Sequence, residues 1–368
     1  MNFQNLLKLP RGPLMRANAE LAATTERLAE AARRGPDADA VHSRLGALKL
    51  LVGDIIADVE NALPGIADAG PGSAGRAARH LVGAGGKRVR PLLVILASRA
   101  AGVPADCLDT RASLIKLAQA AELVHAATLL HDDVLDDGRT RRGLPAARVL
   151  WGNAASVLGG DFLLIRALEL TASTGVTGVL GDLLASIGRM IDGEALQLQH
   201  RGKSDLDPRA YVEVVDGKTA SLFAWCGRAG ARLAGVDAAT GDALAAYGLH
   251  LGRAFQIVDD VLDVEGDPRA LGKSVLSDVR EGKLTLPVLY ALEREPSLRA
   301  VLDACVATDA DEAGGVADAV ARTGGAELAR ERARQETSRA VAALQPLPST
   351  PWSEALKMIA HELCARVS

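Results

Sequence analysis

Two copies of one acidic pentapeptide carry the clearest chemistry in this chain. Asp132, Asp133 and Asp136 stand in HDDVLDD (residues 131–137), and Asp259, Asp260 and Asp263 in DDVLD (residues 259–263). On a helix, positions i, i+1 and i+4 share one side, so each trio gathers on one face. Like charges at that spacing oppose a bare helix. At an effective dielectric of about 20, two unit charges about 4 Å apart repel by roughly 4 kcal/mol. Solvent can satisfy one such face. Two identical copies set in apolar sequence point instead to a counter-cation. Oxygen-only ligands favour a hard ion, and Mg²⁺ holding a substrate's phosphates is the usual case.

Basic residues supply the second half of the chemistry. Lys87 and Arg90 follow paired glycines in GGKRVRP (residues 85–91), and glycine lets a backbone approach a ligand closely. Arg141 and Arg142 follow the first acidic trio across one short loop, while Lys218, Lys273 and Lys283 accompany the second. Guanidinium forks match phosphate oxygens bidentately, and lysines add point charges. Taken singly, each is an ordinary surface charge. Together they offer two ways to hold phosphate: directly, and through Mg²⁺ on carboxylates. That suits two diphosphate substrates in one cavity.

Such groups need rigid elements behind them. Ala and Leu dominate, aromatics are few and β-branched runs are short, a composition that favours helices. Apolar spacing predicts helices over residues 45–63, 92–101, 107–136, 153–171, 176–199, 209–233 and 237–265, with more beyond. Residues 64–75 read as a Gly/Pro-rich linker, 138–145 as a basic loop, and 266–282 as a loop carrying Lys273 and Asp278. No strand alternation or short-period repeat is evident. Residues 1–40 read as an N-terminal arm, broken at Pro10, Gly12 and Pro13, followed by a polar surface helix over 19–34; residues 41–368 read as a single all-α catalytic domain. The net charge of −4 gives no support for nucleic-acid binding. Four cysteines lack zinc or disulfide spacing, and no signal-like or membrane-length apolar segment occurs. These features predict a soluble, cytoplasmic protein.

The motifs also occur in a recognisable order: GGKRVRP, the first aspartate motif with its trailing RRG, Lys218-Thr219, FQIVDDVLD (residues 255–263), then Gly272-Lys273 with Asp278. In this the chain resembles the all-trans isoprenyl diphosphate synthases, the polyprenyl synthetase family, over roughly residues 45–368. WGN (151–153), GDFL (160–163) and REGKLTLP (280–287) look most like its long-chain members, and Ser277 departs from a further Asp common in such enzymes. The resemblance implies a single helical bundle around a deep central cavity, usually a homodimer. It implies that all six aspartates bridge Mg²⁺ to an allylic diphosphate, with Arg141, Lys218, Thr219, Gln256 and Lys273 also holding that group. Lys87, Arg90, His125 and Arg142 would hold isopentenyl diphosphate, while His131 is structural. Asp132, Asp133, Asp136, Asp259, Asp260 and Lys218 would drive ionisation of the allylic bond. Attack by isopentenyl diphosphate and proton loss to the released diphosphate then complete the condensation. A short-chain (farnesyl or geranylgeranyl) synthase is the alternative within the family. A terpene cyclase would not need the second substrate's cations, and a non-catalytic partner subunit typically loses motif aspartates that are all present here.

Product length has its own sequence clue. The product must grow away from the metals along the helix ending at Asp136, and Ala127 and Thr128 lie about one turn below Asp132. Ala120, Ala121 and Val124 follow, with each turn descending about 5.4 Å, comparable to one isoprene unit. None of these side chains blocks the way, which predicts a long-chain product.

Overall fold

A computed structural model describes residues 38–104, 107–265, 276–307 and 313–365. Residues 1–37 of the expected N-terminal arm, with the helix over 19–34, and the Gly272-Lys273 pair lie outside them.

Helices account for nearly all of the described chain. They are α1 (Ala38–Asp68), α2 (Gly72–Gly83), α3 (Val89–Ala100), α4 (Leu108–Leu135), α5 (Ala147–Trp151), α6 (Asn153–Ala172) and α7 (Val179–His200). Then come α8 (Pro208–Val215), a π-helical turn (Asp216–Ala220), α9 (Ser221–Ala234), α10 (Ala238–Glu265) and α11 (Ser277–Arg280). The set closes with α12 (Leu286–Arg294), α13 (Leu298–Ala307), α14 (Ala313–Thr323), α15 (Gly325–Ala343) and α16 (Pro351–Ala365). The all-α expectation holds.

Two apolar cores form, and α10 runs through both. Its first half gives Leu244, Tyr247 and Leu251 to a large core shared with α1–α4, α6, α7, α9 and α16. Its second half gives Ile257, Val258, Val261 and Val264 to a smaller core with α8 and α11–α15. The second acidic motif therefore sits where one rigid helix passes between them. Glycines let neighbouring backbones meet: a Cβ at Gly248 would lie 2.2 Å from the Phe223 carbonyl oxygen, and one at Gly227 2.1 Å from that of Leu244.

Two local expectations change. Residues 64–75 are not a linker throughout, because α1 continues through Pro64 to Asp68 before α2 begins at Gly72. Proline inside a helix costs about 3 kcal/mol, yet Leu63 and Ala67 on either side are fully buried, and that packing carries the helix past it. The basic loop is a miniature hairpin: Thr140–Arg141 (β1) pairs antiparallel with Leu144–Pro145 (β2), Arg141 opposite Leu144. Its two central residues, Arg142 and Gly143, both have positive φ, as a type I′ turn requires.

Candidate active site

The first acidic motif occupies the last turn of α4, where the helix dipole is negative and carboxylates are least welcome. The helix stops there through a Schellman arrangement: Asp137 takes the left-handed conformation, and the Gly138 and Asp137 amides donate to the carbonyls of Asp133 (2.9 Å) and Val134 (3.5 Å). Cations from distant segments then compensate. Arg141 donates twice to Asp133 Oδ1 (2.9 and 2.7 Å), Lys283 Nζ lies 2.6 Å from Asp136 Oδ2, and Arg201 Nη1 3.8 Å from Asp136 Oδ1. Lys283 thus serves the first motif, although in sequence it follows the second.

Lys218 is positioned by the π-helical turn. Ser221 N–H donates to Asp216 O, five residues back, which leaves the Gly217 carbonyl without its α-helical partner. Ser221 Oγ fills that gap at 2.6 Å. Opposite, Gly193 of α7 and Gly217 pack backbone to backbone, since a Cβ on Gly193 would come within 2.5 Å of Lys218 N. Lys218 Nζ accordingly sits 2.5 Å from Glu194 Oε2, 2.8 Å from Gln197 Oε1 and 3.9 Å from Asp132 Oδ2. Its neighbour Thr219 donates to Gln256 Oε1 (2.8 Å), and Gln256 Nε2 donates to Asp260 Oδ1 (2.9 Å). Adjacent residues of one turn therefore join the two acidic motifs.

The second motif divides by role. Asp260 is buried, with Tyr211 donating to its other oxygen at 2.6 Å. Burial first, then the neighbouring Asp278, pushes its carboxyl well above the usual range, against the opposing Tyr211 and Gln256 hydrogen bonds. Asp263 accepts from Ser277 Oγ (2.6 Å) and from the Asp278 amide (3.2 Å). Ser277 can donate where a further Asp would repel. All six aspartates were expected to face metal; here the protein holds both oxygens of Asp260 and of Asp263. Asp259 keeps a charge interaction with Arg90.

The glycine-rich segment before α3 is anchored by Arg88. This residue has φ 48° at the helix N-cap and is buried in ion pairs with Glu60 and Glu122. Gly86 makes room for guanidinium groups, since a Cβ there would come within 3.0 Å of Arg142 Nη2 and 3.1 Å of Arg88 Nη1. Lys87 is exposed. Arg90 stacks 4.8 Å over the Phe223 ring, its Nε buried with no hydrogen-bond partner, and burial lowers its pKa. Burial, followed by the charges of Arg90, Arg142, Arg141 and Arg88, holds the His125 imidazole well below its usual pKa. His125 is neutral among four guanidinium groups, a setting suited to an anion. His131 is structural: its Nε2 lies 3.2 Å from Val157 O and 3.3 Å from Asp161, over Gly160.

Divalent metal fits this donor set. Asp133 Oδ2, Asp136 Oδ1 and Glu194 Oε1 are buried without a hydrogen-bond partner, and buried polar atoms seldom stay that way. Burial raises the Asp132 carboxyl to about 6, with Lys218 opposing and Glu194 and Asp136 adding to the rise. Among the described residues no three His, Cys, Asp or Glu side chains already form a cage. Magnesium needs none, because it commonly takes one or two carboxylates and completes its shell with phosphate and water.

Sequence reasoning overlooked Glu194, Gln197, Arg201 and Tyr211 as site residues. Glu194 had a signal in its place beside Gly193; Tyr211 acts on Asp260, 49 residues away, and had none. Below the site, Thr128 shares the face of Asp132, whereas Ala127 is buried at the seam with α6, its carbonyl 3.0 Å from where a Gly160 Cβ would stand. Ala121 and Val124 are fully buried beneath them, so the side chains along that line are small. The helix α4 carries no Phe, Tyr or Trp, and the ring on that face is the His125 imidazole, two turns before Asp132. Trp225 donates to Val179 O, Tyr247 to Leu356 O, and Phe223 packs with Phe255.

Comparison with known proteins agrees with this geometry. The Polyprenyl synthetase family model matches residues 73–323. Octaprenyl diphosphate synthase of Escherichia coli (strain K12) is 40% identical over 288 residues, covering 77% of this chain and 86% of its own. A short chain isoprenyl diphosphate synthase of Methanothermobacter thermautotrophicus is 37% identical over 308 residues, covering 82% and 93%. The crystal structure of a polyprenyl synthase from Caulobacter crescentus CB15, complexed with calcium and isoprenyl diphosphate, is 37% identical with a TM-score of 0.82, covering 88% and 98%.

Proposed function

We propose a function from one premise: this chain belongs to the polyprenyl synthetase family. It is a prenyltransferase that condenses isopentenyl diphosphate with an allylic diphosphate and gives a long-chain all-trans polyprenyl diphosphate. One observation carries the reading: Lys218 and Thr219, adjacent on one π-helical turn, touch Asp132 and, through Gln256, Asp260. A phosphate placed between the two acidic helices would meet both motifs at once.

Asp132, Asp133 through its unpartnered Oδ2, Asp136 and Asp259 would hold Mg²⁺, with Arg141 bracing the other Asp133 oxygen. When bound, the metal supplies charge to stabilise the leaving diphosphate. Lys218, Arg141 and Thr219 hold the same group from the protein side, and Lys273 joins them by its place in the motif. Arg90, Arg142, Lys87 and neutral His125 hold isopentenyl diphosphate. Asp260 acts as a brace for Gln256 rather than as a ligand. The apolar faces of α4 and α7 keep water from the allylic cation. The elimination needs no dedicated side-chain base, because the released diphosphate accepts the proton.

The working unit is proposed to be a homodimer acting in the cytoplasm. Val157, Leu158 and Ile165 on α6 and Leu184, Ile191 and Leu198 on α7 are exposed, and three exposed α7 residues at seven-residue spacing make a stripe suited to a second copy. Free Cys107, Cys226 and Cys364 suit a reducing compartment. Among the described residues no helix is long and apolar enough to cross a membrane.

The test is product chromatography after incubation with farnesyl diphosphate, labelled isopentenyl diphosphate and Mg²⁺. Label in products of about thirty carbons or more is expected from the unblocked path, at roughly one isoprene unit per 5.4 Å turn. Diphosphate release without isopentenyl diphosphate would indicate a cyclase instead. No incorporation at all would remove the assignment.

A further inference from the structure

The π-helical turn that carries Lys218 is gripped from its far side by a charge network that neither acidic motif contains. Arg253 of α10 forks onto Asp216, the first residue of the turn, with Nε 2.5 Å from Oδ1 and Nη2 2.6 Å from Oδ2. The same guanidinium reaches back to Glu336 of α15, Nη1 lying 3.6 Å from Oε2. Glu336 is fully buried and is further held by His250 (2.7 Å), Arg332 (2.9 Å) and Arg339 (2.7 Å). A planar fork on a carboxylate fixes distance and rotation together, which a single hydrogen bond does not.

Rotation matters here because a π turn is under-constrained. It carries one residue more than the α-helical register and gives up an i→i−4 bond, which Ser221 Oγ makes good at Gly217 O. Gly193 and Gly217 bring the turn against α7 backbone to backbone, and the side chain that reaches across is the long, flexible Lys218. Register must come from elsewhere, and Arg253 sits one turn before Gln256 on the same helix. The Asp216–Arg253 and Thr219–Gln256 contacts therefore fasten both ends of the turn to α10. Lys218, between them, is left aimed across at Asp132, Glu194 and Gln197.

We infer that Arg253 is a positioning residue for the allylic diphosphate site, acting on Lys218 and Thr219 through Asp216. Its side-chain contacts are Asp216 and Glu336, neither of which is assigned to substrate or metal. The inference rests on the prenyltransferase reading and says which substrate the clamp serves.

The experiment measures kcat and both Michaelis constants for Arg253→Met, Asp216→Asn and the double variant, using farnesyl and isopentenyl diphosphates with Mg²⁺. Arg253→Met is expected to lower kcat about tenfold and raise KM for farnesyl diphosphate about fivefold, with KM for isopentenyl diphosphate within about twofold. The double variant should cost no more than the worse single, because both remove one contact. Arg253→Lys, which keeps the charge without the fork, should recover only part of the loss. Equal changes in both Michaelis constants, additive single effects, or kcat within about twofold of wild type would each overturn the clamp. Thermal melting of every variant separates a folding loss, which moves neither Michaelis constant selectively. If the wild type itself transfers no prenyl group, the functional reading falls; if it does and Arg253→Met matches it, only this inference falls.

Discussion

Asp132 and Lys218 face each other across the two halves of the site, and residue-level predictions start from them. If Asp132 and Asp259 hold metal as proposed, removing either takes away charge that acts mainly on the transition state, so Asp132→Ala and Asp259→Ala should each lower turnover by about 10³-fold. Chelation should abolish activity and Mg²⁺ restore it; steady-state rates within tenfold of wild type for both variants would contradict the site. Asp260→Asn is expected to behave differently. It keeps the space and one acceptor for Tyr211 or Gln256, so the Mg²⁺ concentration for half activity should stay within about twofold while kcat falls. A titration in which that concentration rises tenfold would return Asp260 to the ligands. The six aspartates were legible in the sequence because period and charge suffice to see them. The hydrogen bonds that Tyr211 and Ser277 give Asp260 and Asp263 were not, since they depend on residues brought together only through the fold.

At the scale of elements, the predictions concern product length at α4 and acid stability at α15. Thr128 stands one turn below Asp132 on the same face, so Thr128→Phe should place a ring across the growing chain and cut the product to about twenty carbons or fewer, one isoprene unit matching roughly one 5.4 Å turn. Ala127→Phe would instead press into α6 at Gly160 and cost about 1–3 kcal/mol, so a lower melting temperature is expected before a shorter product. Unchanged chain length in Thr128→Phe would place the path elsewhere. On α15, burial opposes the charged form of Glu336, but the His250 hydrogen bond and the charges of Arg253 and Arg332 outweigh it and lower its pKa. A carboxyl whose folded pKa is lowered stabilises above its unfolded value of about 4.3 and loses that contribution as pH falls through the folded pKa. Glu336→Gln should therefore lose stability at neutral pH and flatten the acid limb of a melting-temperature profile; parallel profiles would dismiss the network as a stabiliser. Long helices such as α4 and α10 could be read from apolar spacing alone. The π-helical turn could not, because Ser221 and the glycine contact that stabilise it have no local signature, and neither could passage through Pro64, which depends on what Leu63 and Ala67 pack against.

For the whole molecule, the decisive question is what covers α7. One side of this helix is committed inward: Leu183, Ser186, Met190 and Gly193 are buried, and Glu194 and Gln197 hold Lys218. Another side shows Leu184, Ile191 and Leu198 at seven-residue spacing, with Ile191 64% exposed, and α6 adds Leu158 and Ile165. Single exposed apolar residues are ordinary, but a run of them along neighbouring helices marks an interface. A seven-residue repeat on a helix is also the spacing at which two copies interlock. A stable pair needs roughly 800 Å² from each partner, more than one helix supplies, which is why the α6 residues belong to the same surface. The sequence implied a homodimer only through its resemblance; the exposed stripe is a separate, physical reason. The expected result by light scattering on the eluting protein is twice the monomer mass at micromolar concentration. Leu184→Glu with Ile191→Glu should give the monomer mass with helical circular dichroism retained, because two of the three stripe residues on α7 become charged. Activity should drop in that monomer, with kcat more affected than either Michaelis constant, since α7 also steadies Glu194 and Gln197 beneath Lys218. A wild type that stays monomeric at tens of micromolar, or a double variant that remains dimeric, would show that something other than a second copy of this chain covers the stripe.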